Sequence, residues 1–396
     1  MAARPLRVAI IGGGIGGLAA ALSLLRAGFD VQVYEQASSL SEVGAGIQMS
    51  PNATRILLRF GLGPALAATG VKPIAGHMRR WADGRTIQRS AMGAEMEAAF
   101  GAPYYHFHRA DLLAALSQGL PPERLHLRQR FERAIDHGDK VEIAFADGTG
   151  ASADLLIGAD GIHSAVRSLL FGPEHPDFTG CIAYRGLVPA ARLAHLDLEL
   201  TANNWVGPGR HFVHYFVSGG RLLNFVAVIA RDSWTKESWT DRGRVEDALA
   251  AYDGWHSQVR EIIGAVEETF IWALFDRPPQ PHWSKGRITL LGDACHAMLP
   301  FMAQGAAQSI EDGATLAACL LEGNGDLAAA LRRYETLRLP RASRLQVMSR
   351  DNKHRFHLPD GPEQAARDAA LAQRGDRSIP VIGWLYGHDA GKLEVA

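Results

Sequence analysis

Cysteine is scarce in this chain of 396 residues. Cys181, Cys295 and Cys319 lie far apart, and no CxxC pair occurs. That pattern argues against a disulfide framework and suits a reducing cytosol, so a cytoplasmic location is expected. No apolar run reaches about 18 residues, which excludes a conventional membrane-spanning helix. Only five residues precede the first apolar strand, too few for a signal peptide. An excess of either charge is missing as well. Lys and Arg total 41 against 42 Asp and Glu, a net charge of −1, so neither nucleic acid nor an anionic membrane is an expected partner. No histidine set has metal-ligand spacing, and no metal is expected. Repeats and low-complexity segments are absent too. A 47% hydrophobic share over this length leaves an ordinary globular chain with room for two or three domains.

What is present begins at once. Leu6–Ile11 is a buried-strand pattern that runs into Gly12-Gly-Gly-Ile-Gly-Gly17, and Glu35 ends the next apolar run. This is a dinucleotide-binding fingerprint in its proper context. Gly12 permits the tight strand-to-helix turn, Gly14 lets backbone approach a pyrophosphate, and Gly17 lets helix and strand pack closely. The pyrophosphate belongs on the helix N-terminus, and Glu35 is placed to accept from the adenosine ribose. The motif alone does not choose between NAD and FAD.

The reading is α/β. Strand, helix (15–27) and strand (31–35) open a parallel sheet. Residues 124–149 alternate apolar and polar, with a hairpin turn at Asp147-Gly148. Between about 173 and 272 the alternation of His211–Phe216 and Leu222–Val228, joined at Gly219-Gly220, predicts antiparallel strands. Helices are predicted at about 305–322, 327–356 and 362–374. Asp160-Gly161 and Gly292-Asp293 each follow a buried strand, where a carboxylate can accept from a sugar or ribityl hydroxyl.

Taken in order, the GGGIGG loop with Glu35, Asp160-Gly161 and Gly292-Asp293 resemble the three signatures of group A flavoprotein aromatic hydroxylases. Gly44–Gln48, Ser50-Pro-Asn52 and His296–Ala306 resemble most the salicylate and 3-hydroxybenzoate hydroxylase branch, with 6-hydroxynicotinate monooxygenases nearby. The resemblance implies a para-hydroxybenzoate hydroxylase fold of the GR2 type. A Rossmann-like FAD-binding domain would take 1–75, 100–172 and 273–350. An inserted substrate domain on a mainly antiparallel sheet would take 76–99 and 173–272, and a C-terminal helical tail 351–396. It also implies tight, non-covalent FAD held by Gly12, Gly14, Gly17, Glu35, Gln36, Arg109, Phe131, Asp160, Asp293, Pro300, Gly305 and Ala306. The helix start at Gly305 and Ala306 would face the N1–C2=O edge of the flavin, because an N-terminus stabilises the negative charge of the reduced ring.

NADH or NADPH and O2 follow as co-substrates, acting through a flavin C4a-hydroperoxide on a small phenolic carboxylate, as a monomer or homodimer. His211 and Tyr215 lie four apart on a strand and so share one face. Read from the residues alone, they are a satisfied sheet histidine and an amphipathic tyrosine. The resemblance implies that they line the substrate pocket, with His211 taking the phenol proton. A salicylate-like substrate leads, with decarboxylation possible in principle. Gln48 replaces a histidine of the hydroxynicotinate branch, and Pro300 a glutamine of the 3-hydroxybenzoate branch. The alternative substrates are 3-hydroxybenzoate, 6-hydroxynicotinate, or a larger phenol or quinolone reached through Tyr184 and Arg185. A non-catalytic flavin module is the alternative class.

Overall fold

A computed structural model describes residues 4–40, 45–231, 242–374 and 378–393. Gly44 of the 44–48 motif lies outside them.

The first sheet has six strands, in the order Ser284–Lys285, Ile288–Leu290, Leu155–Gly158, Arg7–Ile11, Asp30–Tyr34 and Leu125–His126. All its junctions are parallel except the edge pair 284–285 with 288–290. Its central strands are buried on both faces, which explains their unbroken apolar runs. Helix Ile15–Arg26 covers one face and packs along helix Gly305–Glu322. Gly313 makes that approach possible. A Cβ there would stand 2.6 Å from the Ala20 Cα.

The second sheet has eight strands. Their order is Arg242–Gly243, Thr269–Asp276, Asp177–Pro189, Leu222–Ala230, Arg210–Val217, Thr201–Gly207, Ala75–Arg80 and Thr86–Ala91. Every junction is antiparallel except that between 201–207 and 75–80. Alternation sorts its residues as predicted. Phe212, His214 and Phe216 face an apolar layer with Trp205, Phe225 and Tyr252, while His211, Val213 and Tyr215 face the other way, into a cavity. The hairpin at Gly219-Gly220 forms, with both glycines at positive φ.

A ribbon of Gly46–Met49 and Tyr105–His108 lies between the two sheets, pinned by the Gly46 N–H donating to Asn224 Oδ1 at 2.7 Å. Helices Leu327–Phe356, Pro362–Arg374 and Ser378–Tyr386 close the chain. Among the described residues no helix is long and apolar enough to cross a membrane. The architecture is thus α/β, with a Rossmann-like sheet, a mainly antiparallel second sheet and C-terminal helices.

Candidate active site

The nucleotide end is built by the glycine loop. Gly12 has φ of +109°, and a Cβ on it would sit 2.3 Å from the Ala159 carbonyl oxygen. A Cβ on Gly17 would meet the Gly12 oxygen at 2.0 Å. The fold itself therefore demands both glycines. Gly14 differs: a Cβ there meets nothing within 4 Å. The protein leaves space in front of this helix N-terminus, where a phosphate is bound best. Glu35 accepts from the Gly13 N–H at 2.7 Å and the Ala37 N–H at 2.8 Å, which fixes its carboxylate beside the loop. Gln36 is exposed next to it. The ring of Phe131 is a core residue of the first sheet's apolar cluster. The backbone just before it reaches Glu35, through the Gln129 N–H and the Glu35 carbonyl at 2.8 Å.

Asp160 is engaged differently from expectation. Its carboxylate accepts from Ser164 Oγ at 2.5 Å and the Val166 N–H at 3.1 Å, so it secures the start of helix Ala165–Phe171. It does not line the cavity, whereas its neighbours Ile162 and His163 do.

The cavity has a volume of about 610 Å³ and lies between the two sheets, within the usual range of small-molecule sites. One wall carries Arg109, Asp293, Pro300, Gly305 and Ala306 together with the Gly46–Gln48 ribbon. Asp293 opens onto the cavity although protein atoms surround it. That burial raises its pKa, against the pull of His296 and Arg109. Burial likewise lowers the pKa of Arg109, which Asp293 opposes. A Cβ on Gly305 would stand 3.8 Å from Asp293 Oδ1, so the acid and the helix start share one surface. The open approach at Gly14, the Glu35 carboxylate fixed beside the loop, and Arg109, Asp293 and the Gly305 helix start around one cavity are of a chemistry that FAD would fit.

A buried polar network holds that helix start. Glu311 and Asp312 are wholly buried, and so is Arg338, which pairs with both, its Nε reaching Asp312 at 2.7 Å. Arg341 clasps Glu311 at 2.7 and 2.9 Å and donates to the carbonyls of Trp384 and Leu385. Asp312 also accepts from the Gly292 N–H at 2.8 Å and from His296 at 2.6 Å. His296 is thus architectural. Its ligand atoms with Cys295 and Asp312 fall within 4.8 Å of one another, but this carboxylate is already taken by three donors.

The opposite wall is the second sheet. Tyr104 donates to Gln48 Oε1 at 2.8 Å. That orients the Gln48 amide, whose nitrogen is left to donate to the Tyr215 oxygen. The single hydroxyl proton of Tyr215 is then available to the cavity. Burial pushes this phenol up to about 12, so it is a donor and not a base. Arg185 stands near it with its guanidinium 4.0 Å from the Trp272 ring. Burial lowers the Arg185 pKa to about 10, still cationic near neutrality, and its Nε has no partner among the described residues.

His211 bonds through Nδ1 to His357 Nε2 at 2.7 Å and touches Phe301 and Phe356. Burial, then the neighbouring His357, hold its pKa well below the usual value. It is neutral and weakly basic, which opposes the expected removal of a phenol proton. The sequence reading gave the Glu311–Asp312–Arg338 network no role, and Arg185 only as part of a wider pocket. Neither carries a local motif. Tyr386, from the C-terminal helix, also lines the cavity and bonds to Tyr104.

The comparisons agree with this geometry. The profile of the FAD binding domain family matches residues 5–349. The chain is 46% identical to a 3-amino-4-hydroxybenzoate 2-monooxygenase of Streptomyces platensis, over 98% of this chain and 97% of that protein. It is 41% identical to a 6-hydroxynicotinate 3-monooxygenase of Pseudomonas fluorescens, over 87% and 91%. Among solved structures, Klebsiella pneumoniae HpxO complexed with FAD and uric acid matches with a TM-score of 0.85 at 28% identity, covering 95% of each chain. A salicylate hydroxylase substrate complex matches with a TM-score of 0.83 at 28% identity, covering 98% and 96%. On the profile that spans residues 5–349 and relatives matched over nearly the whole chain, the chain belongs to the FAD binding domain family and is a flavoprotein aromatic hydroxylase that binds FAD.

Proposed function

We propose that the enzyme hydroxylates a hydroxybenzoate that carries an amino group beside the reacting carbon, with 3-amino-4-hydroxybenzoate as the type substrate. The carrying observation is the pairing of Arg185 and Tyr215. On the second-sheet wall a cation and an oriented hydroxyl donor stand together, facing a largely apolar cavity whose other wall carries the helix start at Gly305. That pair suits the carboxylate of a flat aromatic acid. The type substrate is named from the relative at 46% identity. A salicylate-like ring, the leading expectation from sequence, has weaker support in the matches.

Bound FAD, reduced by NAD(P)H, supplies the activation of O2. The overall change takes ring C–H, O2, NAD(P)H and a proton to ring C–OH, water and NAD(P)+. The protein's contribution is placement, exclusion of water and control of protons. In 3-amino-4-hydroxybenzoate, C2 is ortho to the amine and meta to the hydroxyl. Its electron density comes from the nitrogen lone pair, so no strong base is needed at the phenol. A neutral His211, held by His357, can hydrogen-bond the ring hydroxyl through Nε2 without removing its proton. Tyr215 and Arg185 hold the carboxylate, and Val213 and Val226 form the floor beneath the ring.

The test is a panel of 3-amino-4-hydroxybenzoate, salicylate, 3-hydroxybenzoate and 6-hydroxynicotinate, scored by the ratio of hydroxylated product to hydrogen peroxide. Coupled turnover of the amino compound is expected. Salicylate as the only coupled substrate, with release of carbon dioxide, would overturn the assignment. Arg185→Met should weaken binding of the acid by about tenfold or more while barely affecting its methyl ester.

A further inference from the structure

The strand register lays out the cavity floor as a row. Arg185 pairs with Val226, Val226 with Val213, and Val213 with Asn204. Three strand spacings separate the ends, about 14 Å at the backbone. The side chains of Arg185 and Asn204 occupy part of that span. What remains suits one substituted ring lying over the two valines.

The two ends differ in chemistry. Arg185 is cationic and backed by Trp272. At the Asn204 end no carboxylate lines the cavity, and the neighbouring Asn203 is committed, accepting from Arg79 Nε at 2.8 Å and donating to Thr201 Oγ at 2.9 Å. Asn204 is different. It lines the cavity, and its Oδ1 is buried with no hydrogen-bond partner among the described residues. A buried acceptor left unpaired is costly, and the cost is relieved only when something brings it a proton.

We infer that Asn204 is the specificity residue for a hydrogen-bond donor at ring C3, an amino or hydroxyl group beside the ring hydroxyl that faces His211. The inference rests on the hydroxybenzoate reading above and assigns which substituent is selected and by what. An N–H donated to Oδ1 also raises electron density on the amine nitrogen, the atom that feeds the neighbouring ring carbon. A ring with hydrogen or methyl at that place leaves the carbonyl unpaired. A site built around a polar contact rejects analogues that lack it far better than an apolar pocket rejects an added methylene.

The test titrates FAD-loaded enzyme with 4-hydroxybenzoate bearing amino, hydroxyl, hydrogen or methyl at C3, read by perturbation of the flavin absorbance. The two donor-bearing rings should bind about tenfold or more tighter than the other two. Asn204→Leu should level the four affinities, while Asn204→Asp, which keeps an acceptor in place, should retain the preference. Flavin retention in both variants checks that they fold. Binding of all four rings without a donor preference, or a preference that survives in Asn204→Leu, overturns the Asn204 assignment alone. No spectral response to any of the rings overturns the hydroxybenzoate reading and this inference with it.

Discussion

Arg338→Met tests whether the buried network positions helix Gly305–Glu322, whose start lines the cavity. Arg338 is wholly buried in helix Leu327–Phe356 and meets Glu311, Asp312, Gln308 Oε1 and the Gln308 carbonyl. Methionine keeps much of the volume and removes the charge. Removing one partner of a buried ion pair typically costs about 3–5 kcal/mol, because an uncompensated charge remains. Here each carboxylate keeps other partners: Arg341 and Asn52 for Glu311, His296 and the Gly292 N–H for Asp312. The expected loss is therefore about 3 kcal/mol, the lower end of that range.

The sign of its pH dependence follows from the same contacts. Arg338 helps hold the Asp312 and Glu311 carboxyls below their ordinary pKa values, against the opposing effect of burial. A depressed carboxylate pKa stabilises the fold above the unfolded value near 4, and that stabilisation fades as pH falls. The deficit of Arg338→Met should accordingly be full from pH 7 down to about pH 4 and shrink below it. The assay is urea denaturation of FAD-saturated protein at several pH values, with flavin release followed in parallel, since ligand binding adds to apparent stability. Flavin should dissociate at lower urea than the global transition. A loss below about 1 kcal/mol, or a deficit that grows as pH falls, would refute the reasoning.

Three further outcomes are expected. Gly14→Ala should leave apoprotein stability nearly unchanged and weaken FAD binding, whereas Gly12→Ala should impair folding itself, because its Cβ would strike Ala159; paired denaturation and flavin titrations separate the two. Tyr215→Phe should lower affinity for the ring carboxylate by about tenfold, through loss of one hydrogen bond to a charged group, and leave its methyl ester little affected; equal losses for acid and ester would count against the oriented hydroxyl. Burial pushes His106 and His214 down to about 3, so both stay neutral when folded and take up a proton near pH 6.5 when unfolded. Stability should therefore fall as pH drops below about 6.5, by up to about 1.4 kcal/mol per unit for each histidine. His214→Phe should flatten that slope by about one proton, and an unchanged slope would exclude the assignment.

The amino-acid order by itself determined what is local. A strand, three glycines and a helix form the nucleotide turn because each step is dictated by neighbours in the chain: a positive φ at Gly12, a close packing at Gly17, a helix start at Ile15. Alternation put His211, Val213 and Tyr215 on one face because strand geometry has a period of two. Tertiary structure decided the rest. Strand 177–189 pairs with 222–230, some forty residues further along the chain, so no local pattern announces that Asn204 shares a floor with Arg185. Asp160 and Asp293 both follow buried strands. Only the folded context turned one inward to secure a helix and opened the other onto the cavity. Burial, a property of the whole molecule, made His211 a weak base and Tyr215 a donor, and the packing of helix Leu327–Phe356 set Arg338 between the two acids of helix Gly305–Glu322.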